Sequence, residues 1–112
     1  MKTKQNLSDN SMIDLYKLLR PHHVSFSLFV ILDYIEKNRG CTISDIADAM
    51  DISRTPIHNH LAALRRLSLI ETYTAEDLTD FRRVRVFPTL KGFLLVQNAH
   101  RILEKINKGE GS

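Results

Sequence analysis

The chain has 112 residues, 43% of them hydrophobic and 26% charged, which describes one small globular domain and excludes a disordered tail. One cysteine excludes a disulfide framework and a cysteine-based zinc cluster, and four glycines, three prolines and no tryptophan exclude low-complexity and collagen-like architectures. Sixteen basic residues against thirteen acidic ones leave a net charge of only +3, so where the charges lie matters more than their sum.

They are unevenly placed. Residues 42–51 hold Asp45, Asp48 and Asp51 and no base. Residues 52–70 hold Arg54, Arg65 and Arg66 and no acid, and residues 81–91 hold Arg82, Arg83, Arg85 and Lys91 and no acid. Two acid-free basic blocks are the electrostatic footprint expected for a polyanion partner, and the plain alternative is a solvated charged face. No apolar stretch follows Lys2 and Lys4, and the most apolar run, residues 24–35, is too short for a bilayer core of about 30 Å. The expectation is a cytoplasmic protein with no membrane partner.

In chain order, Ser8 or Ser11 is placed to cap a first helix carrying Met12, Ile13, Leu15, Tyr16, Leu18 and Leu19, and Pro21 stops it. A second helix is expected over residues 25–38, with Phe26, Phe29, Val30, Leu32 and Ile35 as its apolar side and Arg39-Gly40 as its end. Residues 41–43 leave room for a stub of strand. Ser44 is expected to cap a short third helix over 45–50, with Ile46, Ala47 and Met50 on one face.

After a turn at Asp51-Ile52, Ser53 is expected to cap a fourth helix over 54–67. Pro56 falls in its first turn, and Ile57, Leu61 and Leu64 form its core stripe. Residues 69–73 and 81–87 read as strands of a hairpin, the second alternating Arg83, Val84, Arg85, Val86. Thr89 then caps a last helix to about Asn107, with residues 108–112 as a frayed tail. The expectation is a single domain over 1–112. Residues 8–20 form an N-terminal helix, 24–88 a winged helix-turn-helix core and 89–107 a C-terminal helix. The fold class is mainly α with a small β-hairpin wing.

Two helices joined by a short turn, the second amphipathic with a polar N-terminal end, follow the helix-turn-helix plan. The residues Thr42-Ile43-Ser44-Asp45-Ile46-Ala47, Ile52-Ser53-Arg54-Thr55-Pro56-Ile57, His60-Leu61, Leu64 and Leu69-Ile70-Glu71 resemble the winged-helix repressors of the MarR and ArsR type. Thr89-Leu90-Lys91-Gly92 is similar to the Thr-x-Lys-Gly with which their last helix often opens. The resemblance covers about residues 24–93. It departs at Ser68, where those proteins usually carry a left-handed glycine, and at Pro56, which is uncommon there.

A recognition helix presents its N-terminal residues to base edges. Here those are Arg54, Thr55, His58 and Asn59, with Ser53 and the first amides suited to a phosphate. Arg83 and Arg85 share one face of the wing and are expected on the minor groove or phosphates, with edge protection by charge as the alternative. Arg65 and Arg66 equally suit the helix dipole. Ile13, Tyr16, Leu19, Leu94, Leu95, Ile102, Leu103 and Ile106 are a surplus of apolar residues expected to form a two-fold homodimer.

Five histidines suggest no metal set, since His58 and His60 diverge on the helix and His22-His23 flank a turn. Cys41 reads as a small buried apolar residue rather than a redox sensor. No phosphate loop or catalytic constellation is present, so neither an enzyme nor a cofactor is expected. The leading expectation is a dimeric, sequence-specific regulator of transcription on double-stranded DNA, most simply a repressor on a near-palindromic operator. An effector, if one exists, belongs where the dimer helices meet the DNA-binding lobe, and the sequence identifies none. The alternative is a winged-helix protein-interaction module.

Overall fold

The computed structural model describes the backbone of residues 2–74 and 84–111 and the side chains of residues 11–74 and 84–105. Helix α1 spans Lys2–Leu19, and a turn of 3-10 helix over Arg20–His22 carries Pro21 in its first positions. Then come α2 (Phe26–Lys37), β1 (Cys41–Thr42), α3 (Ile43–Met50), α4 (Arg54–Arg66), β2 (Ile70–Thr74), β3 (Val84–Pro88) and α5 (Leu90–Gly111).

Both end helices are longer than the sequence signals suggest. α1 starts at Lys2 rather than near Ser8, and α5 runs past Asn107 to Gly111. Neither extension contains a proline, and adding a residue to an existing helix costs far less than starting one. The cap of α3 also differs from expectation. Thr42, not Ser44, is its N-cap: Thr42 Oγ1 accepts from the Asp45 amide at 3.2 Å, and Asp45 Oδ2 accepts from the Thr42 amide at 2.9 Å. That reciprocal capping box begins the helix two residues early.

The stub at Cys41–Thr42 becomes the edge of a three-stranded antiparallel sheet in the order β1-β3-β2, pairing Cys41 with Val86 and Thr42 with Arg85. β2 and β3 pair from Ile70 opposite Pro88 to Thr74 opposite Val84. Val86 points into the core, so Arg85 and Phe87 lie on the other face. Phe87 meets Tyr73 edge-on at 5.6 Å. The core joins α2 (Ile31, Leu32, Ile35) to Ile46 of α3, Ile57 and Leu64 of α4, Val86 of β3 and Val96 of α5. Ser25 caps α2 by accepting from the Leu28 amide.

α1 packs along α5, burying Leu15 and Leu19 on one side and Leu95 and Ala99 on the other. Polar contacts tie α5 to α2 as well. His100 Nε2 lies 2.6 Å from Asp33 Oδ1, while Lys37 holds the other carboxylate oxygen at 3.1 Å. Among the described residues no helix is long and apolar enough to cross a membrane.

Candidate nucleic-acid interface

Helix α4 is fixed from behind. Ile57, Leu61 and Leu64 recur at helical spacing and are buried at 0%, 4% and 0% exposure. The turn into α4 is tight because Asp51 takes the left-handed conformation (φ 56°), which Asp tolerates better than most residues. The Ile52 amide donates back to the Ala47 carbonyl at 3.1 Å. Arg54, Thr55, His58 and Asn59 are all exposed on the opposite side, as are Ala62, Arg65 and Arg66 further along. The outward face of α4 therefore carries three arginines, two polar residues and a histidine, and no acid.

Ser53 has the extended backbone of an N-cap, but its hydroxyl makes no capping hydrogen bond. The reason lies in the sequence. A cap hydroxyl commonly accepts from the third helical amide, and here that position is Pro56, which has none. The side chain expected to close the helix start is thus left exposed beside the first two amides.

On the wing, Arg85 donates to the Gly40 carbonyl at 3.0 Å. One of its five N–H donors is committed to the root of the hairpin, and the rest remain. Gly40 sits at φ 84°, and the Gly40 amide donates to the Val86 carbonyl at 2.8 Å, which holds this turn to β3. Arg83, its expected companion, lies outside the described residues, as do Glu76, Asp77 and Asp80. Tyr73, which no sequence signal singled out, is exposed beside Arg85 across the strands and donates its hydroxyl to Glu71 at 3.0 Å. That bond raises its pKa.

The described apolar residues expected at a dimer interface divide into three groups. Leu19 and Leu95 are buried within the chain itself, so they offer no surface to a second copy; α1 and α5 already cover each other there. Ile102 and Leu103 are half-buried against the core. Ile13, Tyr16 and Leu94 are about half exposed, and Met12 and Leu90 join them. The side chain of Ile106 lies outside the described residues. Beside this surface a cavity of about 430 Å³ opens between α1 and the start of α2, lined by Met12, Leu15, Tyr16, Leu19, Val24 and Phe26, with Arg20 and His23 among its polar groups.

Cys41 is buried, and desolvation, with Asp45 nearby, pushes its thiol up to about 11. Among the described residues no group of three or more His, Cys, Asp or Glu is placed to hold a metal ion.

Residues 28–71 match the family described as winged helix-turn-helix DNA-binding. The HTH-type transcriptional regulator BilQ of Clostridioides difficile is 25% identical over 100 residues, which cover 89% of this chain and 66% of that protein, just under two thirds. Among solved structures, the MepR–DNA complex of S. aureus is 24% identical with a TM-score of 0.79, covering 99% of this chain and 90% of that one. FabT of Streptococcus pneumoniae in complex with DNA is 21% identical with a TM-score of 0.78, covering 96% and 75%. The reduced form of MarR from E. coli is 16% identical with a TM-score of 0.72, covering 92% and 74%. The chain has the winged helix-turn-helix fold shared by these MarR-type regulators.

Proposed function

We propose that the protein is a dimeric, sequence-specific regulator of transcription that binds double-stranded DNA, acting as a repressor on a near-palindromic operator. The observation that carries this reading is α4: a helix held by three buried residues on one side, whose other side exposes Arg54, Thr55, His58 and Asn59 behind a tight turn. In the major groove Arg54 pairs with a guanine edge and Asn59 with an adenine edge, the bidentate geometries those side chains fit. Thr55 meets a thymine methyl, and His58 donates to a base or phosphate. Ser53 and the first amides of α4 take a phosphate, in keeping with the positive end of the helix. Arg83 and Arg85 serve the flanking groove from the wing. MepR and FabT, which share the fold, were solved with DNA.

The second copy covers the exposed apolar residues Ile13, Tyr16 and Leu94. Two copies related by a two-fold axis set their reading helices about 34 Å apart, one turn of DNA. The cavity between α1 and α2 lies beside that contact and is the place for a small-molecule effector.

The experiment is selection of duplexes from a random pool, followed by anisotropy across a salt series. Enrichment of a palindrome, with log affinity falling by about 0.9 per phosphate contact against log salt, is expected. A flat salt response without enrichment overturns the reading in favour of a protein-interaction module.

A further inference from the structure

The end of the reading helix is clasped by the first turn of α5. Past α4 the chain closes in a Schellman arrangement: the Ser68 amide donates to the Arg65 carbonyl at 2.9 Å and the Leu69 amide to the Leu64 carbonyl at 3.0 Å. The next three carbonyls are then taken, one after another, by residues some twenty positions away. Lys91 Nζ donates to the Leu67 carbonyl at 3.2 Å, Thr89 Oγ1 to the Ser68 carbonyl at 2.7 Å, and the Thr89 amide to the Leu69 carbonyl at 3.0 Å. The same Thr89 hydroxyl oxygen accepts from the Gly92 amide at 3.1 Å, capping α5. One side chain thus begins one helix and holds the exit of another. Lys91 sets a positive charge at the negative end of α4.

We propose that Thr89 and Lys91 are positioning residues for sequence recognition: they lock α4 to α5, so that the reading helix keeps a fixed angle to the long helix. The proposal rests on the DNA-binding reading above. It removes Lys91 from the set of phosphate contacts, although Lys91 belongs to the basic block over residues 81–91. A long helix that packs on α1 and begins in a three-bond clasp on the exit of α4 carries its own displacement to the DNA-facing side chains. A reading helix that loses the clasp still meets phosphates but meets base edges at the wrong angle, and bidentate base contacts depend on angle.

The test uses Lys91→Met, Thr89→Val and the pair together in the full chain, with Lys91→Arg and Thr89→Ser as conservative controls. Three quantities are measured: the affinity ratio between the selected operator and a random duplex, the salt slope, and amide exchange over residues 64–70. The expected result for the double variant is about a tenfold loss in the ratio, about threefold for Lys91→Met alone, at an unchanged salt slope. Exchange over 64–70 becomes faster, and both controls restore the ratio.

A salt slope reduced by about 0.9 per protomer in Lys91→Met makes Lys91 a phosphate contact and overturns the proposal. So does unchanged exchange over 64–70, or an unchanged ratio with faster exchange. Lys91 is exposed at its bond, so Lys91→Met keeps the question open to measurement should Thr89→Val unfold. If the unsubstituted protein shows no preference for any duplex, the DNA-binding reading fails. The exchange measurement then still decides whether the clasp exists.

Discussion

Gly92 lies directly against the carbonyl of Leu69. A β-carbon at Gly92 would meet that oxygen at 2.2 Å, and the Leu69 carbonyl carbon at 3.1 Å. The obstacle is backbone, and that carbonyl also receives the Thr89 amide, so it has no cheap way to retreat. α5 can open against the end of α4 only because its third residue has no side chain.

Gly92→Ala therefore forces the first turn of α5 away from Leu69. The expected cost is about 2–3 kcal/mol, the upper part of the range for overpacking. It is read as a lower urea midpoint at unchanged slope. A loss below about 0.5 kcal/mol would mean that the two segments separate freely.

Ser68 predicts the opposite sign. It sits at φ 61°, at the position that closes the helix. The left-handed region costs a residue with a β-carbon about 1–2 kcal/mol, and the added freedom of glycine in the unfolded chain takes back part of that. Ser68→Gly is expected to stabilise the protein by about 0.5 kcal/mol, and Ser68→Val, β-branched, to destabilise it by more than 1 kcal/mol. The clasp itself uses the Ser68 carbonyl, which both variants keep. Thermal or urea unfolding of the pair checks the signs.

These neighbouring positions show what was legible in the sequence. The amphipathic stripe Ile57, Leu61, Leu64 follows from local spacing and could be read directly, whereas the left-handed site at Ser68 follows only from the resemblance to the winged-helix repressors, which usually carry glycine there. The three-stranded sheet could not, because the pairing of Cys41 with Val86 is decided by two segments 45 residues apart. The roles of Thr89 and Lys91 at residues 67–69 are hidden for the same reason. Thr42 displaced Ser44 as a cap because both can accept from an amide in the first turn, and only the reciprocal bond from Asp45 decides between them. Leu94 and Leu95 are adjacent in sequence, so composition alone could not tell that one faces out and the other in. Ser53 was misleading as a cap, although its signal was present: a proline at the third helical position removes the donor.

Cys41 gives a pH prediction. Burial raises its pKa from 9.0 to about 11, so the folded protein holds the thiol proton where the unfolded chain has released it. Binding more protons in the folded state makes stability fall as pH rises. The contribution is fully present below about pH 9 and is lost between roughly pH 9 and 11. Cys41→Ala is expected to be less stable at neutral pH, through the small cavity it leaves, but to show a shallower alkaline decline over that window. At pH 8 the native thiol should react with an aromatic disulfide reagent only as fast as the protein opens, because the thiolate is the nucleophile. Rapid stoichiometric labelling of native protein would contradict the burial seen here.

The reading face is tested by Arg54→Ala and Asn59→Ala. Both side chains are exposed on the outward face of α4, so stability should stay within about 0.5 kcal/mol of the parent. Operator affinity should drop by about 1–3 kcal/mol for each, with relaxed preference at one base position per half-site. Binding to random duplex should change little for Asn59→Ala. Operator affinity that survives both substitutions in folded protein would move the interface away from α4.

Tyr16 and Leu94 carry the dimer prediction, because their exposure separates association from folding. Both are about half exposed on the single chain, so Tyr16→Asp with Leu94→Asp puts charge where the isolated chain already meets water. The same charge in a contact between copies is desolvated and unpaired, at a cost of several kcal/mol. Sedimentation is expected to turn a dimer into a monomer whose circular dichroism is unchanged, and operator binding should weaken steeply while becoming non-cooperative. Leu95→Asp is the contrast: its site is buried within the chain at 3% exposure, so it should unfold the protein rather than split it. A double variant that still sediments as a dimer would place the second copy on another face, and the half-site spacing of about 34 Å expected from a two-fold pair would have to be measured afresh on the selected operator.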